Sequence, residues 1–264
     1  MNSRRFALAA LLLGSLPLTG CFEIDQHLTL KKDGSSTVRI QLSVPEKRLE
    51  QIKEMPNKKG DTPDELFDEK LFREKTVKNG GAVESFKSWS DKDNRRLDAL
   101  VALKDPEALS KSGVYGDKGE LFFFAEAEGQ VRMVIYPQGK KEYEESVRRI
   151  AEAEAMEQKE EGKEMAEFQA RMFEMQKREL KGLKVAWHFT MPGAIKTVSD
   201  GMVVEKSGDT ATFSVTDDQL KQPKDMRRLD AMKFEIVFDG KDCKLPLSEP
   251  LKKAASQPAE AEKK

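Results

Sequence analysis

The chain has 264 residues, of which 35% are charged and 38% are apolar, and its formal net charge at pH 7 is −1. Because this balance gives no overall attraction to nucleic acid, we expect no nucleic-acid partner. The length allows one large domain, but the apolar content is low, so part of the chain is expected to be solvated helix or tail.

The first residues have the pattern of a secretory signal. A basic start precedes an apolar run over 6–13, which is too short to span a bilayer of about 30 Å. The run leads to Leu-Thr-Gly-Cys at 18–21, which resembles the bacterial lipobox, whose cysteine is acylated and becomes the first residue of the mature protein. That resemblance implies a signal peptide over 1–20 and a lipid anchor on Cys21. The alternative is an ordinary secretory signal with a chance cysteine, or a short membrane anchor.

A β-hairpin is predicted directly after Cys21. Residues 22–30 and 38–44 alternate apolar and polar side chains with period two, and Asp33-Gly34 stands between them. The sheet therefore begins almost at the lipid, and we expect the folded body to lie close to the membrane surface.

Helices and further strands are predicted along the rest of the chain. Residues 46–79 carry an apolar stripe at helical spacing, interrupted by Pro56, and Asp105-Pro106 begins a short helix. The predicted strands are 83–89, 97–103, 120–127, 131–136, 185–190, 195–199, 202–205, 210–215 and 232–238.

A charged block over 140–181 has a different character. It is rich in residues that favour helix, and opposite charges recur at spacings of three and four. A continuous helix over this block would be about 60 Å long. We therefore expect it either to project beyond the sheet or to bend at Gly162 into a hairpin. The two apolar stripes of the block are Tyr143, Val147, Ile150 and Ala151, followed by Met165, Phe168, Met172 and Met175.

Two apolar patterns allow more than one interpretation. The methionine stripe over 165–175 suits either an adaptable binding surface or a core-facing side of a helix. Phe122, Phe123 and Phe124 place aromatic rings on both faces of one strand. This implies burial on both sides, for instance between a layer of helices and an apolar cavity.

The sequence contains no recognised catalytic or metal-binding motif. His27 and His188 lie on predicted strands with no Cys, Glu or second His at ligand spacing, so packed or surface positions are expected for both. No nucleophile elbow, phosphate-binding loop, His-Glu-x-x-His or Cys-x-x-Cys is present. We therefore expect a protein without cofactor or metal that is not an enzyme. An enzyme would need carboxylates such as Asp98 and Asp230 to converge in a cleft.

Two other features have candidate roles. Residues 92–99 recur as 224–231 with seven of eight positions identical. Each copy is followed by a predicted strand, and its paired arginines would form a patch that binds phosphate head groups or a carboxylated ligand. The alternative is a pair of structural turns with Leu97 and Leu229 in the core. Cys243 would remain as a single free thiol once Cys21 is acylated. The arginines of the patch are Arg95, Arg96, Arg227 and Arg228.

Several of these elements together resemble the LppM-like lipoprotein domain family. They are the lipobox cysteine followed at once by a hairpin with Lys-Asp-Gly at 32–34, then Phe-Thr-Met-Pro-Gly at 189–193, Asp-Gly at 200–201 and Thr-Ala-Thr-Phe at 210–213. The resemblance implies an antiparallel sheet wrapped against helices, as in helix-grip or Bet v 1-like folds, with an apolar cavity. The sequence departs from the family in two respects. It has no long apolar segment near its C-terminus, and its charged block over 140–181 looks like an insertion.

The predicted fold class is α+β. A curved antiparallel sheet of about eight strands would pack against helices on one face. A long charged helix or helical hairpin would be inserted mid-chain. The domain would cover 21–247, and residues 248–264 would form a disordered tail.

The predicted function is non-enzymatic. The chain would be a membrane-tethered lipoprotein of the cell envelope that binds a lipid-like ligand or another envelope component, with a protein partner at 140–181. Phe22, rather than Asp, follows the cysteine, which in a Gram-negative cell resembles lipoproteins sent to the outer membrane, with the body in the periplasm. The alternative is a structural or assembly factor that docks on an envelope complex through its charged helix.

Overall fold

The computed structural model describes residues 22–54, 66–115, 118–157, 163–199 and 203–248. The predicted signal peptide with Cys21, the bend at Gly162 and all of the predicted tail except Ser248 lie outside the described residues.

The described chain alternates short helices with strands that form two sheets. The strands are β1 (Glu23–Leu30), β2 (Ser36–Pro45), β3 (Gly81–Asp91), β4 (Asn94–Leu103), β5 (Glu120–Ala125), β6 (Gln130–Tyr136), β7 (Lys184–Thr190), β8 (Ile195–Val198), β9 (Val203–Ser207), β10 (Thr210–Thr216), β11 (Phe234–Asp239) and β12 (Leu247–Ser248). The helices are α1 (Glu46–Glu54), α2 (Glu69–Lys78), α3 (Pro106–Lys111), α4 (Lys140–Glu157), α5 (Lys163–Glu179) and α6 (Pro223–Asp230).

The larger sheet has seven strands in the order β3-β4-β2-β1-β7-β10-β9, and the smaller has five in the order β12-β5-β6-β11-β8. Neighbouring strands are antiparallel except for two parallel pairs, β1 with β7 and β5 with β12. The pairing of β1 with β7 joins the start of the domain to a strand that lies far along the chain.

The prediction of one curved antiparallel sheet of about eight strands is wrong, because the strands divide between two sheets. A helix-grip arrangement is also wrong, because the second sheet packs on the buried side of the larger one. The fully buried Phe234 of β11 lies with its ring centroid 5.1 Å from that of Trp187, 5.2 Å from Phe189 and 5.0 Å from Phe213. Strand periodicity shows which side chains face inward, but not which strands share a sheet.

The smaller sheet is buried on both faces, as the triple phenylalanine predicts. Phe123 belongs to the main core between the sheets, whereas Phe124 belongs to a second apolar cluster on the opposite face. Tyr143 of α4 packs against this second cluster, so a helix covers that side of the sheet.

Of the two arrangements expected over 140–181, the single long helix is not found in the described residues, and the bend at Gly162 lies outside them. The block instead contains α4, of 18 residues, and α5, of 17 residues, which contact each other and α6. Each helix can therefore bury its own apolar side near the body of the protein. Among the side chains of α5 that the structure describes, Phe173 is buried, while Met172 and Met175 are 38% and 52% exposed. The core-facing interpretation of the methionine stripe is wrong for these two residues.

Local signals place several element boundaries correctly. The hairpin of β1 and β2 closes through Gly34, which has a φ of +85° and donates from its N–H to the Lys31 carbonyl at 3.0 Å. Asp105 caps α3 by accepting a 2.7 Å hydrogen bond from the Ala108 N–H. Among the described residues, no helix is long and apolar enough to cross a membrane.

Candidate functional site

The larger sheet has one buried face and one polar face. On β1 the side chains of Ile24, Gln26 and Leu28 are buried, so Asp25 and His27 point the other way. We call the face that carries Asp25 and His27 the outer face. It is turned away from the smaller sheet and is partly open to solvent.

Strand register aligns the outer-face side chains into rows across the sheet. One row crosses six strands, and its members are Trp89, Arg96, Ser43, Glu23, Lys184 and Thr216. This row lines a groove of about 530 Å³, together with residues of the next row, among them Asp25, Gln41, Ala186 and Ser214. The hollow forms because small side chains such as Ser43, Ala186 and Ser214 stand between larger ones.

Charged groups of both signs line this groove. Arg96 Nε lies 3.2 Å from an Asp91 carboxylate oxygen, and Lys184 Nζ lies 3.1 Å from Glu23 Oε1. The side chains of these residues are partly exposed to solvent, with exposures from 34% to 67%, although the Nε atom of Arg96 itself is buried. Exposed pairs of this kind contribute little stability, so a ligand can replace them at low cost. The groove therefore offers both cations and carboxylates to a polar ligand.

A second cluster on the outer face contains both histidines of the chain. His27 and His188 are register partners on the parallel strands β1 and β7, and their rings stack with centroids 4.1 Å apart and planes 12° apart. Asp25 Oδ1 lies 2.9 Å from His27 Nε2 and 3.1 Å from His188 Nε2. Each of the three side chains offers a ligand atom within 4.8 Å of the other two, so the cluster is able to hold a metal ion.

Neighbouring groups set the state of His188. Its Nδ1 lies 2.9 Å from the Thr212 hydroxyl on β10. Partial burial and the nearby His27 lower the pKa of His188, while Asp25 and Glu205 oppose that shift.

The expectation that each histidine is a packed or surface residue of its strand rests on the wide separation of the two in the sequence. The parallel pairing of β1 with β7 brings them together. The two strands of a hairpin are joined by a short turn whose residues can be recognised in the sequence. Two parallel strands that lie far apart in the sequence have no such local pattern. The one feature of the sequence that points to the cluster is that both histidines of the chain lie on predicted strands with alternating polarity.

The two copies of the arginine repeat adopt different structures. Arg95 and Arg96 lie on β4, where Arg95 Nη1 donates to Ser90 Oγ at 3.2 Å. Arg227 and Arg228 lie in the last turn of α6. Leu97 and Leu229 are both buried, as the structural interpretation of the repeat expects. The joint arginine patch stays a prediction, and Arg96 alone of the four lines the groove of the outer face.

The carboxylates Asp98 and Asp230 also lie on different elements. Asp98 faces outward from β4 and accepts hydrogen bonds from the Arg39 guanidinium at 3.0 and 2.7 Å. Asp230 ends α6, where burial raises its pKa despite the nearby Arg149. Cys243 is a partly buried free thiol whose pKa is raised by burial.

A small apolar cavity lies inside the fold, on the buried side of the larger sheet. Its volume is about 30 Å³, and its lining includes Gln26, Ile40, Phe72 and Val114. This space suits about one water molecule and not an acyl chain. Phe122 and Phe124, which were expected at an apolar cavity, instead belong to the second apolar cluster.

No protein-family model and no curated protein matches this chain. Among solved structures, the chain is similar to the folded domain of the LppM protein of Mycobacterium tuberculosis, determined by NMR, with 8% sequence identity and a TM-score of 0.37. The match covers 85% of this chain and 93% of that one.

Proposed function

We propose that this chain is a non-enzymatic lipoprotein of the bacterial cell envelope, tethered through Cys21, whose outer-face groove binds the phosphate-bearing head group of an envelope amphiphile. The observation that supports the proposal is that the groove lies close to Cys21 along the sequence. Glu23 lines the groove and stands two residues after the lipobox cysteine.

The short distance from Cys21 limits where the groove can be. Two extended residues span at most about 7 Å. A cysteine that carries two or more acyl chains is held stably in the bilayer. A lipid on Cys21 would therefore keep the groove within reach of membrane head groups. Phe22 favours the outer membrane of a Gram-negative cell, with the body in the periplasm.

The side chains of the groove suit a charged head group. The guanidinium of Arg96 binds phosphate in a bidentate manner, and Lys184 adds a second positive charge. Trp89 supplies an aromatic side chain of the kind enriched at membrane interfaces. Glu23 and Asp25 favour a ligand that also carries an amino group over one that is purely anionic. An apolar ligand inside the small cavity next to Gln26 is not supported, because that cavity is too small.

Native mass spectrometry of the full protein, purified from membranes, tests the groove. We expect a bound phosphate-containing amphiphile in the wild type and at least a tenfold lower occupancy in the double variant Arg96→Gln and Lys184→Gln. The matched control is Lys141→Gln with Arg148→Gln, which removes the same charges from α4. Equal occupancy in the two double variants would contradict the groove as the binding site.

Cell fractionation tests the tether separately. We expect Cys21→Ala to move the protein from the membrane fraction to the soluble fraction or to leave its signal peptide uncleaved. Cys243→Ser is the control, since it removes the other thiol and should leave the protein on the membrane. A membrane-bound, normally processed Cys21→Ala variant would contradict lipid anchoring.

An assembly factor is the second candidate, and exposed apolar side chains on the charged block favour it. Val147 on α4 and Met172 and Met175 on α5 are all partly or largely exposed. Flexible methionines suit an adaptable protein interface. We expect Met172→Ser with Met175→Ser to lose a crosslinked envelope partner. Val77→Ser, which changes an exposed apolar residue on α2, should retain it.

A further inference from the structure

The cluster of Asp25, His27 and His188 has the composition and spacing of a metal site, and we infer that it binds a divalent transition-metal ion of the zinc class. This inference goes beyond the proposed function. It rests on the three side chains themselves, of which Asp25 also lines the groove, and not on the lipid anchor.

The donor atoms suit such an ion. Imidazole nitrogen and carboxylate oxygen bind zinc at about 2.0–2.2 Å, so two ligands of one tetrahedral ion lie about 3.3 Å apart. The distances from Asp25 Oδ1 to the two Nε2 atoms, 2.9 and 3.1 Å, are close to this separation. The set of two imidazoles and one carboxylate does not suit magnesium or calcium, which prefer oxygen ligands alone.

The three ligands are held by strands and not by loops. Asp25 and His27 lie two residues apart on β1 and therefore share a face, and His188 is the register partner of His27 on β7. The stacked histidine rings, 4.1 Å apart, bring both Nε2 atoms to the same carboxylate. Ligands on paired strands keep their spacing better than ligands on loops.

Thr212 acts as an outer partner of the site. Its hydroxyl lies 2.9 Å from Nδ1 of His188. A hydroxyl either donates or accepts, so Thr212 can support His188 whether Nε2 carries a proton toward Asp25 or is free to bind a metal. Metal-binding histidines generally have such a partner on their other ring nitrogen. Glu205, the register partner of Thr212 on β9, adds negative charge that favours a cation.

The cationic register partner of His27 on β2 is already paired with a carboxylate. Arg39 is the register partner of His27 on β2. Both of its hydrogen bonds to Asp98, at 3.0 and 2.7 Å, hold the guanidinium against that carboxylate. Its repulsion of a bound cation is therefore offset. Three protein ligands on an exposed face also leave a coordination position for water or for a ligand group.

The test uses the full mature protein in detergent and Zn²⁺ as the probe. Because the chain has two histidines and both are in this cluster, imidazole ¹⁵N resonances report on the site alone. We expect Zn²⁺ to shift the Nε2 resonances of both rings together, with one equivalent bound by calorimetry.

Variants distinguish this site from other ligands. We expect Asp25→Asn, His27→Gln and His188→Gln each to weaken Zn²⁺ binding at least tenfold, and Thr212→Val to weaken it by about tenfold through the loss of the outer partner. Asp218→Asn, an exposed carboxylate elsewhere, and Cys243→Ser should bind as the wild type does. Circular dichroism of each variant establishes that it is folded.

The following results would overturn the inference. They are no shift of the two imidazoles in excess Zn²⁺, wild-type affinity in the folded His188→Gln variant, and loss of binding in Cys243→Ser. The groove proposal would be unaffected by any of them, because it depends on Arg96 and Lys184, which are not metal ligands. For the same reason, Arg96→Gln with Lys184→Gln should leave Zn²⁺ binding intact. Loss of Zn²⁺ binding in that double variant would also contradict a site made of Asp25 and the two histidines.

Discussion

The pair formed by Arg39 and Asp98 is a two-point contact on the outer face of the larger sheet. The guanidinium donates from Nε and Nη2 to the two oxygens of the carboxylate. These hydrogen bonds hold the pKa of Asp98 below its usual value, and burial opposes the shift only in part. Because Arg39 is 52% exposed, solvent screens the pair, and its contribution to the free energy of unfolding is small.

The lowered pKa of Asp98 makes this contribution depend on pH. A carboxyl whose pKa is lower in the folded state stabilises the protein above its unfolded pKa and loses that effect as the pH falls through the folded value. We therefore expect the free energy of unfolding to decrease as the pH is lowered below about 4. The decrease should be less steep in the Asp98→Asn variant. Urea denaturation over a pH series measures this, with Asp218→Asn as the control. Identical slopes in all three proteins would contradict the role of Asp98.

At the scale of single residues, the sequence predicts which side of a sheet a side chain faces better than it predicts which residues that side chain contacts. The alternating pattern correctly buries Leu97 and leaves Asp25 and His27 on the polar face. It does not show that His27 meets His188, because a parallel register between distant strands depends on the whole fold. The cluster was therefore missed, although each of its members was on the correct kind of element.

Helix α3 shows that a strong local signal suffices for a short element. Asp105 accepts from the Ala108 N–H at 2.7 Å, and Pro106 occupies the first helical position. We expect Asp105→Ala to lower the free energy of unfolding by about 0.5–2 kcal/mol, because the capped N–H loses its partner. Thermal and urea denaturation measure the change. Asp218→Ala, which removes an exposed carboxylate from a short helical turn, should have a smaller effect, and equal effects would contradict capping.

The arginine repeat shows where local sequence does not decide an element. One copy enters β4 after the turn at Lys92, which has a φ of +56°, whereas the other forms α6 after Pro223. The same residue types thus form a strand where a hairpin partner lies beside them, and a helix where a proline at the first helical position precedes them. The charged block likewise gives helix correctly, and the two helices that it contains, α4 and α5, both contact α6.

The whole molecule is held together by the packing of two sheets, with Phe234 at the centre of the contact. Its side chain is fully buried against Trp187, Phe189 and Phe213. We expect Phe234→Ala to lower the free energy of unfolding by about 3–5 kcal/mol, because it leaves a cavity between the sheets.

Chemical denaturation of Phe234→Ala measures this cost, and Phe122→Ala is the control. Phe122 is only partly buried and belongs to the second apolar cluster, so its loss should cost clearly less. Equal costs would contradict a core centred on Phe234. The existence of two sheets is the part of the fold that the sequence did not reveal, because a strand buried on both faces, such as β5, has the same pattern in either sheet.

The central claim is that the outer-face groove beside the lipobox binds an envelope amphiphile. Photocrosslinking in living cells tests it most directly, with a photoreactive aromatic residue at Trp89 in the groove and, for comparison, at the exposed Val77 on α2. We predict a lipid adduct at Trp89, lost with Arg96→Gln and Lys184→Gln, and none at Val77. An equal yield of lipid adduct at both positions, or none at Trp89, would contradict the account.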